Sequence, residues 1–317
     1  MATNPLTRSS AQRSMGAMNA WEPLAANETA AGASFDVRRA VAEDAAPPTP
    51  LVYASPHSGR RYPDDMMAAA ALDAMAIRRS EDAYVDELIE AAPGQGVAVL
   101  SARLARAYID VNREPFELDA SMFADELPAF ARARTARVAA GLGAIARVVS
   151  EGQEIYTRKL TFAEATARIE GAHRPYHGAL QRLLGEAHAA HGFAILIDWH
   201  SMPAAAARAG GRDQPCDMVL GDRFGAACSD LLPTRVEREL EGLGYRVSRN
   251  TPYAGGYTTE HYGRPTRRTH ALQIEINRSL YLDEARLTPT EGYRQLQAHI
   301  GQVTQALAGA DWSSLKG

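Results

Sequence analysis

The stretch "FAILIDWHS", Phe193–Ser201, constrains the fold of this chain more than any other. It is apolar without interruption through Ile197 and then gives way to Asp198, Trp199, His200 and Ser201. A run that is apolar at every position, not at every second one, is what a β-strand covered on both faces presents. Such strands lie in sheets packed between helices. "LVYAS" (51–55) and "VAVLSARL" (97–104) read as further strands. "HALQIEIN" (270–277) alternates, with Leu272, Ile274 and Ile276 on one face and Gln273, Glu275 and Asn277 on the other. "ARAYIDVNR" (105–113) alternates most clearly and is expected to be a strand, with Arg106, Tyr108, Asp110 and Asn112 on its polar face.

Helical patterns lie between the strands. "DDMMAAAALDAMAIRRS" (64–80) is one. "SEDAYVDELIEAAPGQG" (80–96) is another, with Ser80 as its expected N-cap, Val85, Leu88 and Ile89 as its apolar stripe and Pro93-Gly94 near its end. Thr161–Glu164, "TFAE", has the form of a capping box opening a long helix, which Pro175 should kink or restart. "GGYTTEHYGRP" (255–265) reads as a loop. Alternation of strands and helices predicts an α/β fold: a mixed, mostly parallel central sheet with helices on both faces.

Composition narrows the function classes. With 46% hydrophobic residues among 317, the chain can bury one large core. A formal net charge of −4 argues against nucleic acid as a partner. No stretch approaches the roughly 18 apolar residues of a membrane span. Cys216 and Cys228 read as free thiols of a reducing compartment. Residues 1–34 lack the apolar core of a secretory signal and read as a disordered or capping tail before the domain at 35–317. A soluble, cytoplasmic protein is expected. The sequence carries no sign of its oligomeric state.

In open α/β sheets ligands bind beyond the carboxyl ends of the strands. Two histidines occupy such ends, His57 after "LVYASP" and His200 after "FAILIDW". Each is either a metal ligand or a satisfied polar group. A catalytic divalent site takes about three protein ligands and keeps a position open for water. "SEDAYVDEL" offers Asp82, Glu81 and Asp86, which would equally favour a helix N-terminus with no further role. Asp198, two residues before His200, either orients a ligand or sits in solvent. Glu275, a carboxylate amid an apolar strand, is a candidate proton acceptor or part of a solvent-facing edge. Arg106, Asn112 and Arg113 form a candidate clamp for a carboxylate.

The ordered series "PHSG" (56–59), "SEDAYVDEL" (80–88), "DVNR" (110–113), "RPYH" (174–177), "IDWHS" (197–201), "GGYTTEHYGRP" (255–265) and "LQIEINRSLY" (272–281) resembles the N-formylglutamate amidohydrolase family over roughly Phe35–Ala308. The resemblance implies a fold like that of zinc carboxypeptidases and aspartoacylases, in one catalytic domain spanning 35–317. It implies one zinc ion held by His57, Asp82 and His200, with Glu81 a rival to Asp82, and Glu275 as general base. Asn112 and Arg113 would hold a substrate carboxylate, with Arg174 and Tyr257 as further substrate contacts. The implied reaction is hydrolysis of an N-acylated acidic amino acid, N-formyl-L-glutamate above all, to formate and glutamate, a step of amino-acid catabolism. Where better-known members read "DTDWHVD" this chain reads "SEDAYVD", so Ser80 and Tyr84 depart from the pattern. Two alternatives stand beside that reading: a zinc amidase for another N-acyl amino acid or small peptide, and a non-catalytic protein that binds an acidic metabolite.

Overall fold

A strand buried at every position organises the molecule, as the apolar run requires. In the computed structural model, which describes residues 27–28, 33–40, 48–131, 134–149, 152–208 and 215–316, this strand is β5. The strands of the main sheet are β1 (Asn27–Glu28), β2 (Phe35–Arg38), β3 (Leu51–Ser55), β4 (Ala98–Ala102), β5 (Ala194–Met202), β6 (Met218–Gly221), β7 (Val247–Arg249) and β8 (Thr269–Asn277). Their spatial order is β1-β2-β4-β3-β5-β8-β6-β7. Strands β4, β3, β5 and β8 run parallel, while β2 and β6 enter antiparallel to β4 and β8. The tail expected over 1–34 lies outside the described residues except at 27–28 and 33–34; Asn27–Glu28 pairs with the β2 edge.

The helices are α1 (Asp64–Ala69), α2 (Ala74–Arg78), α3 (Val85–Leu88), α4 (Ala136–Ala139), α5 (Phe162–Arg168), α6 (Arg174–His191), α7 (Leu231–Gly242), α8 (Tyr257–Tyr262) and α9 (Gly292–Ala308). Side chains alternate across a strand, so Ile195, Ile197 and Trp199 face one layer and Ala194 and Leu196 the other. The first layer is α3, α7 and α9, through residues such as Leu88, Val236 and Ile300. The second is α6, through Tyr176, Leu180 and Leu183. The capping box forms in full at Thr161 and Glu164. A π-helical turn at Ile169–His173 then leads into α6, whose second residue is Pro175, so the helix restarts there.

Three local expectations are corrected. Residues 105–113 form turns, not a strand: the Tyr108 and Ile109 amides both bond Ala105 O, and the Asp110 amide bonds Ala144 O. Alternation arises there because apolar side chains pack inward while Asp110 and Asn112 are buried against other polar groups. Ser80 is not an N-cap: its hydroxyl donates to Ile77 O and closes the preceding helix, while α3 starts after Tyr84, whose φ is 64°. "GGYTTEHYGRP" contains α8 instead of being all loop. The first helical pattern also divides, with the Asp73 side chain capping α2. Cys216 and Cys228 are buried thiols not joined in a disulfide, and burial pushes the Cys228 thiol up. No helix among the described residues is long and apolar enough to cross a membrane.

Candidate active site

Residues of one parity on β5 and β8 build the floor of the site. Asp198 and His200 share a face with Leu196, and partner residues on adjacent strands point the same way. His200 pairs in register with Glu275, and Asp198 with Gln273. These four polar side chains therefore stand together where β5 and β8 reach their carboxyl ends. His57 arrives from the tip of β3, and the Asp82 amide donates to His57 O, tying the acidic segment to that tip.

The ligand atoms of His57, Asp82 and His200 lie within 4.8 Å of one another, and all three residues are buried. His57 Nδ1 and His200 Nδ1 are 3.1 Å apart, and Asp82 Oδ2 lies 3.3 Å and 3.1 Å from them. The opposite ring nitrogens face carboxylates: His57 Nε2 is 2.7 Å from Asp110 Oδ1, and His200 Nε2 is 3.0 Å from Asp198 Oδ2. Protons held on the two Nε2 atoms leave lone pairs on both Nδ1 atoms, facing a carboxylate oxygen. Three acceptors aimed at one point could hold a cation between them. The charges agree. Although burial disfavours it, Asp198, Asp82 and Glu275 push His200 well above the ordinary histidine range. The cluster thus attracts positive charge, and two imidazoles with one carboxylate are a donor set that suits zinc.

Glu81 is excluded from this cluster. Its Oε1 accepts from Tyr62 (2.6 Å) and Arg78 (3.1 Å), on the other side of the segment. Asp82 is fixed by Arg278, which sequence reasoning did not single out. Arg278 Nη2 donates to Asp82 Oδ1 (2.9 Å) and to Glu81 O (2.7 Å), and its Nε donates to Ser201 Oγ (3.0 Å). Burial opposes ionisation of Asp82, yet the neighbouring His200 and His57 rings and the charge of Arg278 hold it well below the usual carboxylate range. Asp110, counted at first only as one of four polar residues on an alternating segment, is the group that orients His57. Burial opposes its charge too, but His57, Arg106 and Arg113 hold it low.

Glu275 is buried and accepts from Gln273 Nε2 at 2.7 Å. Burial pushes its carboxyl up to about 7; His200 pulls it down, Asp82 pushes it further up, and Arg106 and Arg278 pull it down. A carboxylate poised near neutrality beside a candidate cation site suits proton transfer.

A cleft of about 700 Å³ opens over these groups. Arg106, Asn112 and Arg113 line it, as do Arg137, Arg223 and Ser80. Arg106 Nη2 donates to Asp110 Oδ2 at 2.8 Å. Arg113 is held by the carbonyls of Leu142 and Asn112, which take its Nε and Nη1, and its Nη2 has no acceptor among the described residues. Asn112 Oδ1 accepts from the Thr258 amide at 2.8 Å, while Nδ2 lies 3.2 Å from His200 Nε2. Two expected substrate contacts are not brought in. Arg174 is more than half exposed and pairs with Glu170 of the preceding π-helical turn, so it points to solvent. Tyr257, carried by α8, packs against His177 and His261, away from the cleft lining. Tyr84 also lies outside the lining, its hydroxyl on Leu287 O, so that departure from the family pattern is remote from the cleft.

Sheet, cleft and buried carboxylates together define an α/β protein with a candidate active site at the ends of its strands. The comparisons narrow the class. The family model described as N-formylglutamate amidohydrolase matches residues 49–282, and the chain belongs to that family. An N-formylglutamate deformylase of Pseudomonas putida is 30% identical over 263 residues, 81% of this chain and 92% of that protein. The crystal structure of N-formylglutamate amidohydrolase from Ralstonia eutropha JMP134 is 38% identical, with a TM-score of 0.81 over 87% of this chain and 97% of that one. A gene product of Agrobacterium tumefaciens, 17% identical with a TM-score of 0.56 over 87% of this chain and 96% of that one, shares the fold.

Proposed function

We propose that the protein hydrolyses the amide bond of N-formyl-L-glutamate, releasing formate and glutamate, with one zinc ion held by His57, Asp82 and His200. The observation that carries this reading is the meeting of three lone-pair donors beside Glu275 in an arginine-lined cleft. The names of the relatives point to the same substrate. When bound, zinc would supply Lewis acidity, polarising a carbonyl oxygen and lowering the pKa of water toward about 7.

The remaining chemistry belongs to the chain. Glu275 takes a proton from the water whose oxygen adds to the formyl carbon. It returns that proton to the nitrogen as the carbon–nitrogen bond breaks. Gln273, bonded to the same carboxylate, holds it in place. Arg113, through Nη2, and Asn112, through Nδ2, hold a substrate carboxylate and thereby place the scissile carbonyl. With the His200 proton on Nε2, the Asn112 amide cannot donate there, which leaves its N–H groups for the substrate. Arg106 adds positive charge between Asp110 and Asp82.

The test is formate release from N-formyl-L-glutamate by wild type and His57→Ala, with metal content measured on both. Turnover and near-stoichiometric zinc in the wild type, both lost in the variant, support the reading. Turnover only of N-acetyl or peptide substrates would favour an amidase of other specificity, the reading that the Ser80 departure at the cleft wall supports. Tight binding of N-formyl-L-glutamate with no turnover of any substrate would favour a binding protein.

A further inference from the structure

We propose that Arg223 reads the side-chain carboxylate of the substrate and so sets the preference of the cleft for an N-acyl amino acid with an acidic side chain. This inference rests on the reading of the cleft as an N-acyl amino acid site. Such a substrate carries two carboxylates, and Arg113 with Asn112 accounts for one. Arg113 follows β4, on one side of the strands that carry His57, His200 and Glu275. Arg223 follows β6, the strand on the other side, beyond β8, and also lines the cleft. The two arginines therefore belong to segments on opposite sides of the reacting strands in the sheet order, β6 running antiparallel to β8. Arg137, the rival, stands on the Arg113 side, 4.0 Å from Glu117.

The backbone around Arg223 is unusual. Arg223, Phe224 and Gly225 have φ values of 57°, 56° and 83°, a left-handed run in which the first two residues carry a Cβ. That conformation is costly and persists only where surrounding bonds enforce it. Here they do. Asn250 Oδ1 accepts from the amides of Asp222 (3.1 Å) and Phe224 (3.3 Å). Asp222 Oδ1 accepts from the Gly225 amide (3.0 Å) and from Asn250 Nδ2 (2.8 Å). The Arg223 amide donates to Ala254 O at 2.8 Å. The turn fixes the direction of the side chain, and the stem lies against Gly255, where a Cβ would come within 3.2 Å of Arg223 Cδ.

The present partners of Arg223 are exchangeable. Arg278 is bound to Asp82, itself a candidate cation donor, and Arg106 to Asp110, which orients His57. Arg223 instead pairs at 3.0 Å with Glu260 Oε2, with side chains 35% and 58% exposed, and meets Gly255 O only at 3.5 Å. A solvated pair of that kind holds weakly. An incoming carboxylate can displace Glu260 and gain a fork of two donors.

The experiment compares N-formyl-L-glutamate with its neutral isostere N-formyl-L-glutamine. Arg223→Asn removes the guanidinium and keeps a residue tolerant of the left-handed backbone. The expected result is a fall of about 100-fold in the ratio of kcat/KM for the acid to that for the amide, the loss of one charge-assisted bond. Arg223→Lys should restore part of the ratio, and Glu260→Gln, which frees the guanidinium, should raise it by about two- to fivefold. Thermal melts confirm that each variant folds. An unchanged ratio in Arg223→Asn overturns the proposal, as does a ratio set by Arg137→Gln instead. Wild type inactive on both substrates would refute the underlying reading and this inference with it; a fully active wild type whose variants keep the ratio refutes this inference alone.

Discussion

Two pairs of histidines lie close together in this molecule, and their surroundings make them opposites. The rings of His57 and His200 are 4.7 Å apart, and those of His173 and His177 are 4.4 Å apart. Around the first pair stand Asp82, Asp110 and Asp198. Around the second there is no carboxylate in contact among the described residues: His177 Nε2 donates to Val111 O (2.7 Å) and its Nδ1 accepts from the Tyr262 hydroxyl (2.9 Å). His173 Nε2 donates to Arg113 O at 2.8 Å. Burial without anions pushes His177 down to about 3, with His173 contributing, whereas the carboxylates push His200 up in spite of burial. Proximity of imidazoles does not make a cation site; the ring of anions and the unfilled lone pairs do.

The largest test of this contrast is deletion of either pair. His57→Ala or His200→Ala should remove bound metal, seen by elemental analysis, and lower kcat/KM by at least about 10³-fold, whereas His177→Ala should retain near-stoichiometric metal. Equal metal loss from all three would erase the distinction. Glu275→Gln should cost about 10²–10⁴-fold in kcat with metal content unchanged, since a proton acceptor is lost and no ligand is. In the wild type the acid limb of kcat/KM should fall below pH 7, because a cation beside Glu275 pulls its carboxyl down from the value of about 7 that burial and Asp82 create. Asp110→Asn leaves His57 in place but removes the charge behind it; metal affinity should drop by about 10–100-fold in a competition titration with a chelator.

The smallest effect concerns stability. His177 is depressed in the folded state, so the unfolded chain binds its proton first as pH falls below about 6.5, and stability rises with pH across that window. Between pH 7 and 5.5 the wild type should therefore lose about 1 kcal/mol of unfolding free energy that His177→Gln does not. Parallel denaturation curves for the two proteins at both pH values would contradict this assignment.

Much of the site was legible because its strands record burial directly. Continuous apolar runs ending in polar residues marked β3 and β5, and the lone carboxylate in the alternating β8 pattern marked Glu275. The choice between Asp82 and Glu81 was not legible, since adjacent residues point in different directions and only Tyr62, Arg78 and Arg278 decide which way. Alternation misled at 105–113 because a chain of tight turns can also bury every second apolar residue. Helix α8 escaped notice for a different reason. Its expected capping position is Gly256, which has no side chain, and the missing acceptor comes from Asn112, far away in sequence. Arg278 followed the last residue of β8, yet nothing local distinguishes an arginine that fixes a ligand from one in solvent.

That remote acceptor has a consequence for how this protein can vary. A Cβ at position 256 would come within 2.4 Å of Asn112 Nδ2, so even alanine there must push the amide aside. The same amide neighbours His200, so displacing it would reach the reaction centre. Libraries seeking altered chemistry in this scaffold should leave that glycine alone and diversify Arg137 or Ala140 instead, where new side chains have solvent to grow into.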